Sequence, residues 1–243
     1  MNTKNYQPPE HHWISLSDIM TVLMVIFMFI AISYIQKVRQ EKEQRDEIVE
    51  QYNSTVERLY SRLQTEFAED FKEDKWNAVI SEDLSIRFLD ERVFFQQGSD
   101  RIRSRFQQIL DDFFSRYLNI LLHEDFRDQI AEVRVEGHTD STGDFIYNVN
   151  LSQDRTTKVL RHILFRDRQK TFENLSTTDQ ELVKFWFTAN GFSFGRTIDS
   201  NGEFTLASDQ PEDKQLSRRV EFRIVTRTDD VIEALSKLSS NDL

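Results

Sequence analysis

Two acids and one base stand where they could do chemistry. Asp18 opens the tetrad Asp18-Ile19-Met20-Thr21 at the edge of an apolar run that reaches Ile35. On a helix, Asp18 and Thr21 share a face, three residues apart. An ionised carboxylate within a membrane span costs about 2.5–3.5 kcal/mol at the centre and less toward an end; such groups usually face a protein partner or water and take part in ion handling. The plainer alternative makes Asp18 the cap of a helix that begins at Ile19. Much further on, Asp140 falls in a polar loop behind an alternating stretch, and Arg155 falls in the helical pattern that follows. Asp140 can accept from an ammonium or an amide, and Arg155 offers a planar fork to a carboxylate. The pair suits a peptide ligand with both charges; alternatively it is a salt bridge that closes the loop. His138 is read as support for the loop rather than as a metal ligand, because no other histidine lies near it in sequence.

Composition removes several kinds of function. The chain has 243 residues, 30% of them charged, and a formal net charge of −11. An acidic chain has no general attraction for nucleic acid, so no direct nucleic-acid partner is expected. The absence of cysteine excludes disulfides, thiolate zinc sites and cysteine nucleophiles. There is neither a glycine-rich phosphate loop nor a nucleophile–base pattern, so an enzyme is not expected, and neither a metal nor a cofactor.

These residues need elements to hold them. Trp13 to Ile35 makes a helix about 34 Å long at ~1.5 Å per residue, which matches a hydrocarbon core of ~30 Å. Trp13 and Tyr34 lie near its ends, where aromatic rings favour the membrane interface. A cleaved signal peptide is the alternative, with Ala31-Ile32-Ser33 as a loose cleavage site; the lone Lys4 and the acid at Asp18 argue against it. Residues 1–12 form a short tail before the span. Lys37, Arg39, Lys42 and Arg45 follow it, so the positive-inside rule alone would leave the C-terminal side in the cytoplasm. Residues 36–78 read as a helical linker, charged and free of Gly and Pro, with Val49, Tyr52, Val56, Leu59 and Leu63 at heptad spacing. Either this seam pairs with a second copy as a coiled coil, or the helix packs on its own domain.

Residues 79–227 alternate strands and helices. Strand patterns cover 83–89, with Leu84, Ile86 and Phe88 on one face, then 131–137 and 219–225. Helical patterns cover 102–121 and 151–165, the latter capped by Ser152 or Asn150. The expected fold class is α+β, an α/β sandwich with helices on one sheet face. Asn201-Gly202 reads as a hairpin turn. A charged and aromatic insertion, 165–189, contains Trp186 and covers a sheet edge or meets a partner. Residues 228–243 form a C-terminal helix or tail.

Two resemblances sharpen these expectations. The stretch from Trp13 to Ile35, with Asp18-Ile19-Met20-Thr21 at its core, resembles the transmembrane helix of MotB-type stator subunits, in which the aspartate takes up and releases the driving ion. Gly137-His138-Thr139-Asp140, Gly143, Tyr147-Asn148, Leu151-Ser152 and Arg155 resemble the signature of OmpA-like peptidoglycan-binding domains, and Ser217-Arg218-Arg219-Val220-Glu221 resembles that family's later N-R-R-V-E. Thr156 and Ser217 depart from the usual Ala and Asn. The resemblance implies that Asp140 and Arg155 clamp the diaminopimelate of a wall stem peptide. Tyr147, Asn148 and Leu151 would shape the groove, although Asn148 also suits a turn. It further implies an inner-membrane, single-pass protein with a cytoplasmic N-terminus and a periplasmic C-terminal domain, because peptidoglycan lies outside that membrane. This overrides the positive-inside count. Within the class, the S-L-S-D-x-M-T opening and short tail look closest to the B subunits of Zorya anti-phage defence. That implies a homodimer within a pentameric ring of MotA- or ZorA-like A subunits, ion translocation at Asp18 and Thr21, and a proton as the ion, although sodium also suits a carboxylate. A flagellar stator built from the same parts is the alternative function. A passive wall anchor, with Asp18 only capping its helix, is another.

Overall fold

The computed structural model describes residues 11–89, 94–96, 98–166 and 170–227. Residues 1–10 of the expected N-terminal tail, residues 167–169 of the insertion and the expected C-terminal segment 228–243 lie outside this range. The chain divides into two compact units, Met1–Gln51 and Tyr52–Leu243.

Helix α1 runs from His11 to Phe67. No Gly or Pro interrupts it, so nothing in the backbone chemistry asks it to stop. Within the first unit the apolar side chains from Ile19 to Ile35 are exposed, and this part of the helix is long and apolar enough to cross a membrane. Downstream, Lys37 pairs with Glu41 across one turn at 3.7 Å.

The second unit is an α+β domain. Its sheet has the order β1-β2-β5-β3-β4, with β1 Ala78–Ile80, β2 Ser85–Phe88, β3 Ile130–Gly137, β4 Phe187–Gly191 and β5 Val220–Thr226. Neighbours are antiparallel except β3 and β4, which run parallel. Ile86, Phe88, Val133, Val135, Phe222 and Ile224 are buried, as the alternation of each strand requires. The residues between them carry charge: Arg87, Glu221 and Glu136 lie side by side in register, as do Arg223 and Arg134. One face of the sheet is thus apolar and the other ionic.

Helices α2 (Ser104–Leu121) and α3 (Phe145–Phe165) supply much of the apolar layer. Phe113 of α2 meets Phe222 at 5.0 Å and Phe88 at 5.4 Å between ring centroids, both edge-on, the arrangement that aromatic quadrupoles favour. The 165–189 insertion contains α4 (Thr177–Trp186), capped by Ser176, and leads directly into edge strand β4. Val183 and Trp186 are fully buried, so the insertion completes this domain's own edge. At Asn201-Gly202 the chain turns as expected: Asp199 Oδ1 accepts from the backbone N–H of Asn201 and Glu203, and Ile198 bridges Phe204.

Two expectations change. The linker expected over 36–78 is not a free spacer along its length. Leu59, Leu63 and Phe67 are buried in the domain core, and Val56 packs against it. Phe67 meets Phe113 at 5.3 Å, while Arg116 of α2 binds Glu66 and Asp70, each at 2.8 Å, with its guanidinium 4.7 Å from the Phe67 ring centre. The lower part of the heptad seam therefore serves its own domain, because the aromatic surface of α2 lies open to it. The second change is the start of α3. It begins at Phe145, six residues before the expected start, and its cap is Asp144, whose Oδ1 accepts from Tyr147 N at 3.0 Å, rather than Ser152 or Asn150. Gly143, at φ 93°, turns the chain sharply enough to place Asp144 there.

Candidate functional site

The earlier start of α3 puts Tyr147, Asn148, Leu151 and Arg155 on a single helix beside the loop that carries Asp140. Two glycines let that helix come close. A Cβ on Gly137 would meet Ser152 O at 2.8 Å, and one on Gly191 would meet Gln153 N at 2.4 Å. With hydrogens there, α3 crosses the ends of β3 and β4 almost in contact with their backbones.

The loop after β3 is fixed from several sides. His138 N donates to Arg219 O at 3.0 Å, and Thr139 N to Ser193 O at 2.9 Å. Ser193 holds a left-handed backbone (φ 55°), and its hydroxyl donates to Phe145 O, tying the loop, the end of β4 and the start of α3 together. Asn148 is buried, and its Nδ2 donates to Thr142 O (2.9 Å) and Asp144 O (3.0 Å). It braces the loop from inside, which agrees with the turn-forming alternative for this residue.

Asp140 and Arg155 do not pair with each other. Asp140 Oδ1 accepts from Thr142 N at 2.8 Å, and Oδ2 is bound by Arg218. Burial works against the charge of Asp140, but the Thr142 backbone N–H, the Thr142 side chain and Arg218 outweigh it and hold the carboxyl below its ordinary value. Arg155 is buried; its Nε donates to Ser99 O at 3.0 Å and its guanidinium lies 4.9 Å from the Phe95 ring centre. The loop-closing salt bridge is therefore made by Arg218. Sequence reasoning noted Arg218 only as part of a motif and missed the opposite wall, Phe95 to Arg103, because nothing in those residues by type or spacing announces a site.

These groups line one cleft of about 660 Å³. Asp140, Asn148, Arg155, Tyr147 and Leu151 all border it, with Arg103, Arg218 and Phe95 added by the fold. Tyr147 is exposed at the rim, facing Gly98 across it. The cleft offers an acceptor, several planar cationic forks and an apolar wall. That set has the chemistry to pair with carboxylates and amines.

Behind the loop lies a buried ionic cluster. Donor atoms of Glu136, His138 and Glu221 fall within 4.8 Å of one another, a spacing that could suit a cation. The carboxylates already have other partners: Arg219 and Arg87 on Glu221, the latter at 3.2 Å, and Arg196 on Glu136 at 3.5 Å. These guanidiniums would repel a metal ion, so the donor set does not fit one. Burial, and then the charge of Arg219, push His138 down to about 3, while burial pushes Glu136 up. His138 is thus neutral, stacked on Phe192 at 5.3 Å, as a support for the loop would be.

In the first unit, Asp18 lies inside α1, seven residues after its first described turn begins, and does not cap a helix starting at Ile19. Its side chain is exposed and makes no ion pair among the described residues. Thr21 Oγ1 donates to Ser17 O at 2.9 Å.

The first unit is thus a helix able to cross a membrane, and the second an α+β domain that carries the G-H-T-D loop and its cleft. No protein-family model matches the chain. It is 40% identical over 230 residues to the Zorya protein ZorB of Escherichia coli strain Crooks, covering 90% of each, and 26% identical to the Zorya protein ZorB of Escherichia coli O139:H28, covering 87% of this chain and 79% of that one. The chain belongs to the ZorB family. Among solved structures, a MotB-like protein from Desulfovibrio vulgaris is 21% identical, covering 72% of this chain and 96% of that one, with a TM-score of 0.47. The periplasmic domain of Helicobacter pylori MotB is 17% identical, covering 65% and 82%, with a TM-score of 0.39.

Proposed function

We propose that this protein is the peptidoglycan-anchored B subunit of a proton-driven rotary motor of the inner membrane, acting in Zorya-type anti-phage defence. The observation that carries the wall-binding half is the meeting of Asp140, Arg218 and Arg155 in one cleft at the end of β3. A carboxylate has about four lone-pair sites. With Thr142 N and Arg218 in place, Asp140 keeps room for a ligand ammonium while Arg155 offers its fork to the neighbouring carboxylate. Membership of the ZorB family favours defence over flagellar torque.

In this reading the N-terminus is cytoplasmic and the cleft domain periplasmic. Two copies stand inside a pentameric ring of A subunits, which supply the surroundings that Asp18 lacks among the described residues of its own chain. A proton entering from the periplasm neutralises Asp18 and changes its contacts with the ring. Its exit to the cytoplasm restores the charge, and each crossing releases about 2.3 kcal/mol per 100 mV. Thr21, bonded to Ser17 O, lies one turn further on and would take part in the ion's path.

The test uses the full chain expressed with its A subunit in cells challenged with phage, together with sedimentation on purified sacculi. Asp18→Asn should lose protection to background and still sediment with sacculi. Arg155→Ala should lose both. Native protection by Asp18→Asn would remove the ion role, and undiminished sedimentation of Arg155→Ala would remove the role of the cleft.

A further inference from the structure

We infer that Glu212 is a positioning residue for the cleft: by holding Ser141 it fixes Asp140 where the carboxylate can take a ligand ammonium. This rests on the wall-peptide reading of the cleft given above.

The pairing of β3 with β5 does not end where the sheet ends. Gly137 faces Val220 in the last register pair, and His138 N then donates to Arg219 O at 3.0 Å. Beyond that point side chains take over from the backbone. Arg218 binds Asp140 Oδ2, and Lys214 Nζ donates to Thr142 Oγ1 at 3.1 Å. Glu212 accepts from Ser141 twice, from its N–H on Oε1 at 3.0 Å and from its hydroxyl on Oε2. Three successive loop residues are thus each gripped by a charged side chain from one segment, residues 212–218.

That segment is itself anchored. Asp213 N donates to Ile198 O at 2.9 Å, and Asp213 Oδ1 accepts from Gln215 N and Leu216 N at the start of the short helix α5 (Lys214–Ser217). The Ser217 hydroxyl accepts from Ile198 N at 3.0 Å and donates to Ile198 O at 3.2 Å. Ile198 is buried, so the grips on the loop come from a fixed frame.

Glu212 plays a distinct part among the three. Arg218 and Lys214 bind side chains of the loop, whereas Glu212 also binds its backbone. The Ser141 N–H belongs to the planar peptide unit that joins Asp140 to Ser141, so holding it fixes the direction in which Asp140 leaves the main chain. Thr142 N, on Oδ1, fixes the same residue at the far end of its side chain. A recognition group gives its full affinity only when held within about 0.5 Å of its productive geometry. Glu212 is not among the described residues that line the cleft, so its effect on a ligand passes through Asp140.

The test is calorimetric titration of the full chain in detergent with the tripeptide L-Ala-γ-D-Glu-meso-diaminopimelate, alongside urea unfolding of the same samples. Glu212→Ala should weaken binding about three- to tenfold, the span of one hydrogen bond's net worth. Glu212→Gln loses the charge, but its amide oxygen can still accept from Ser141 N and its NH2 group can donate to the hydroxyl. It should therefore bind within about twofold of the native chain. The three unfolding midpoints should agree, because Ser141 is exposed and Glu212 lies outside the apolar core. Three results would overturn the role of Glu212 while native binding leaves the wall-peptide reading standing: Glu212→Ala binding as tightly as the native chain, Glu212→Gln binding as weakly as Glu212→Ala, or a loss of affinity that comes with a fall in the unfolding midpoint. If the native chain does not bind the tripeptide, that reading falls and this inference falls with it.

Discussion

Asp18 and Asp140 are the same residue in opposite circumstances. Around Asp140 the chain provides a backbone N–H, a guanidinium and a braced loop. Around Asp18 it provides a helix with exposed apolar side chains and no partner for the carboxylate among the described residues. The domain binds the carboxylate of Asp140 with its own groups, while the described residues around Asp18 offer its carboxylate none. A charge whose environment comes from another subunit can change that environment when the subunit moves. A charge enclosed by its own fold is held still, which suits the recognition role proposed for Asp140.

The comparison can be broken by core truncation, where the largest effect is expected. Leu63→Ala removes a fully buried side chain where α1 meets the domain and should destabilise the domain by about 2–5 kcal/mol in urea unfolding of the full chain in detergent. Ile30→Ala, in the exposed apolar run, should leave domain unfolding unchanged. Equal losses would mean that the two parts of α1 are not energetically distinct.

Acid titration sharpens the contrast within the domain. His138 is held at about 3 in the fold and returns to 6.5 when unfolded, so the unfolded chain binds the extra proton between those values. Its contribution is complete above pH 6.5 and is lost as pH falls toward 3, with a limiting slope of about 1.4 kcal/mol per pH unit. Glu136, raised by burial, works in the opposite direction as pH rises above 4.5, and Asp140, held low, loses its contribution only below the ordinary carboxylate range. The difference between native and His138→Asn in the pH dependence of unfolding isolates the histidine. Parallel curves would show that it is not buried as a neutral ring.

The smallest effect concerns the cap. Asp144→Ala removes the side-chain bond to Tyr147 N and should cost about 0.5–2 kcal/mol of domain stability. Because Tyr147 borders the cleft, sacculus binding should weaken slightly as well. No change in either measurement would mean that Gly143 alone sets the start of α3.

Much of this architecture could be read from residue order. The apolar run around Asp18 and the alternation at Ile86-Arg87-Phe88, Val133-Arg134-Val135 and Phe222-Arg223-Ile224 announce themselves through local periodicity, while Asp140, Tyr147 and Arg155 stand out through their resemblance to the OmpA-like signature. Edge strand β4 and the first turns of α3 do not. The former is short and follows a helix without a break, and the latter depend on a left-handed glycine rather than on an apolar repeat.

The sequence alone determined which segments could enter lipid, which could alternate across a sheet, and which side chains could carry charge in a loop or along a helix, because these follow from patterns a few residues long. Only the tertiary structure decided that Arg218, 78 residues from Asp140, is its partner, that Arg103 joins Arg155 on the wall made by Phe95, and that Leu59 and Leu63 turn toward their own domain. The physical reason is that pairing of charges and burial of apolar faces are settled by whatever surface the rest of the chain brings near, and no local repeat encodes a neighbour that arrives from the far side of a sheet.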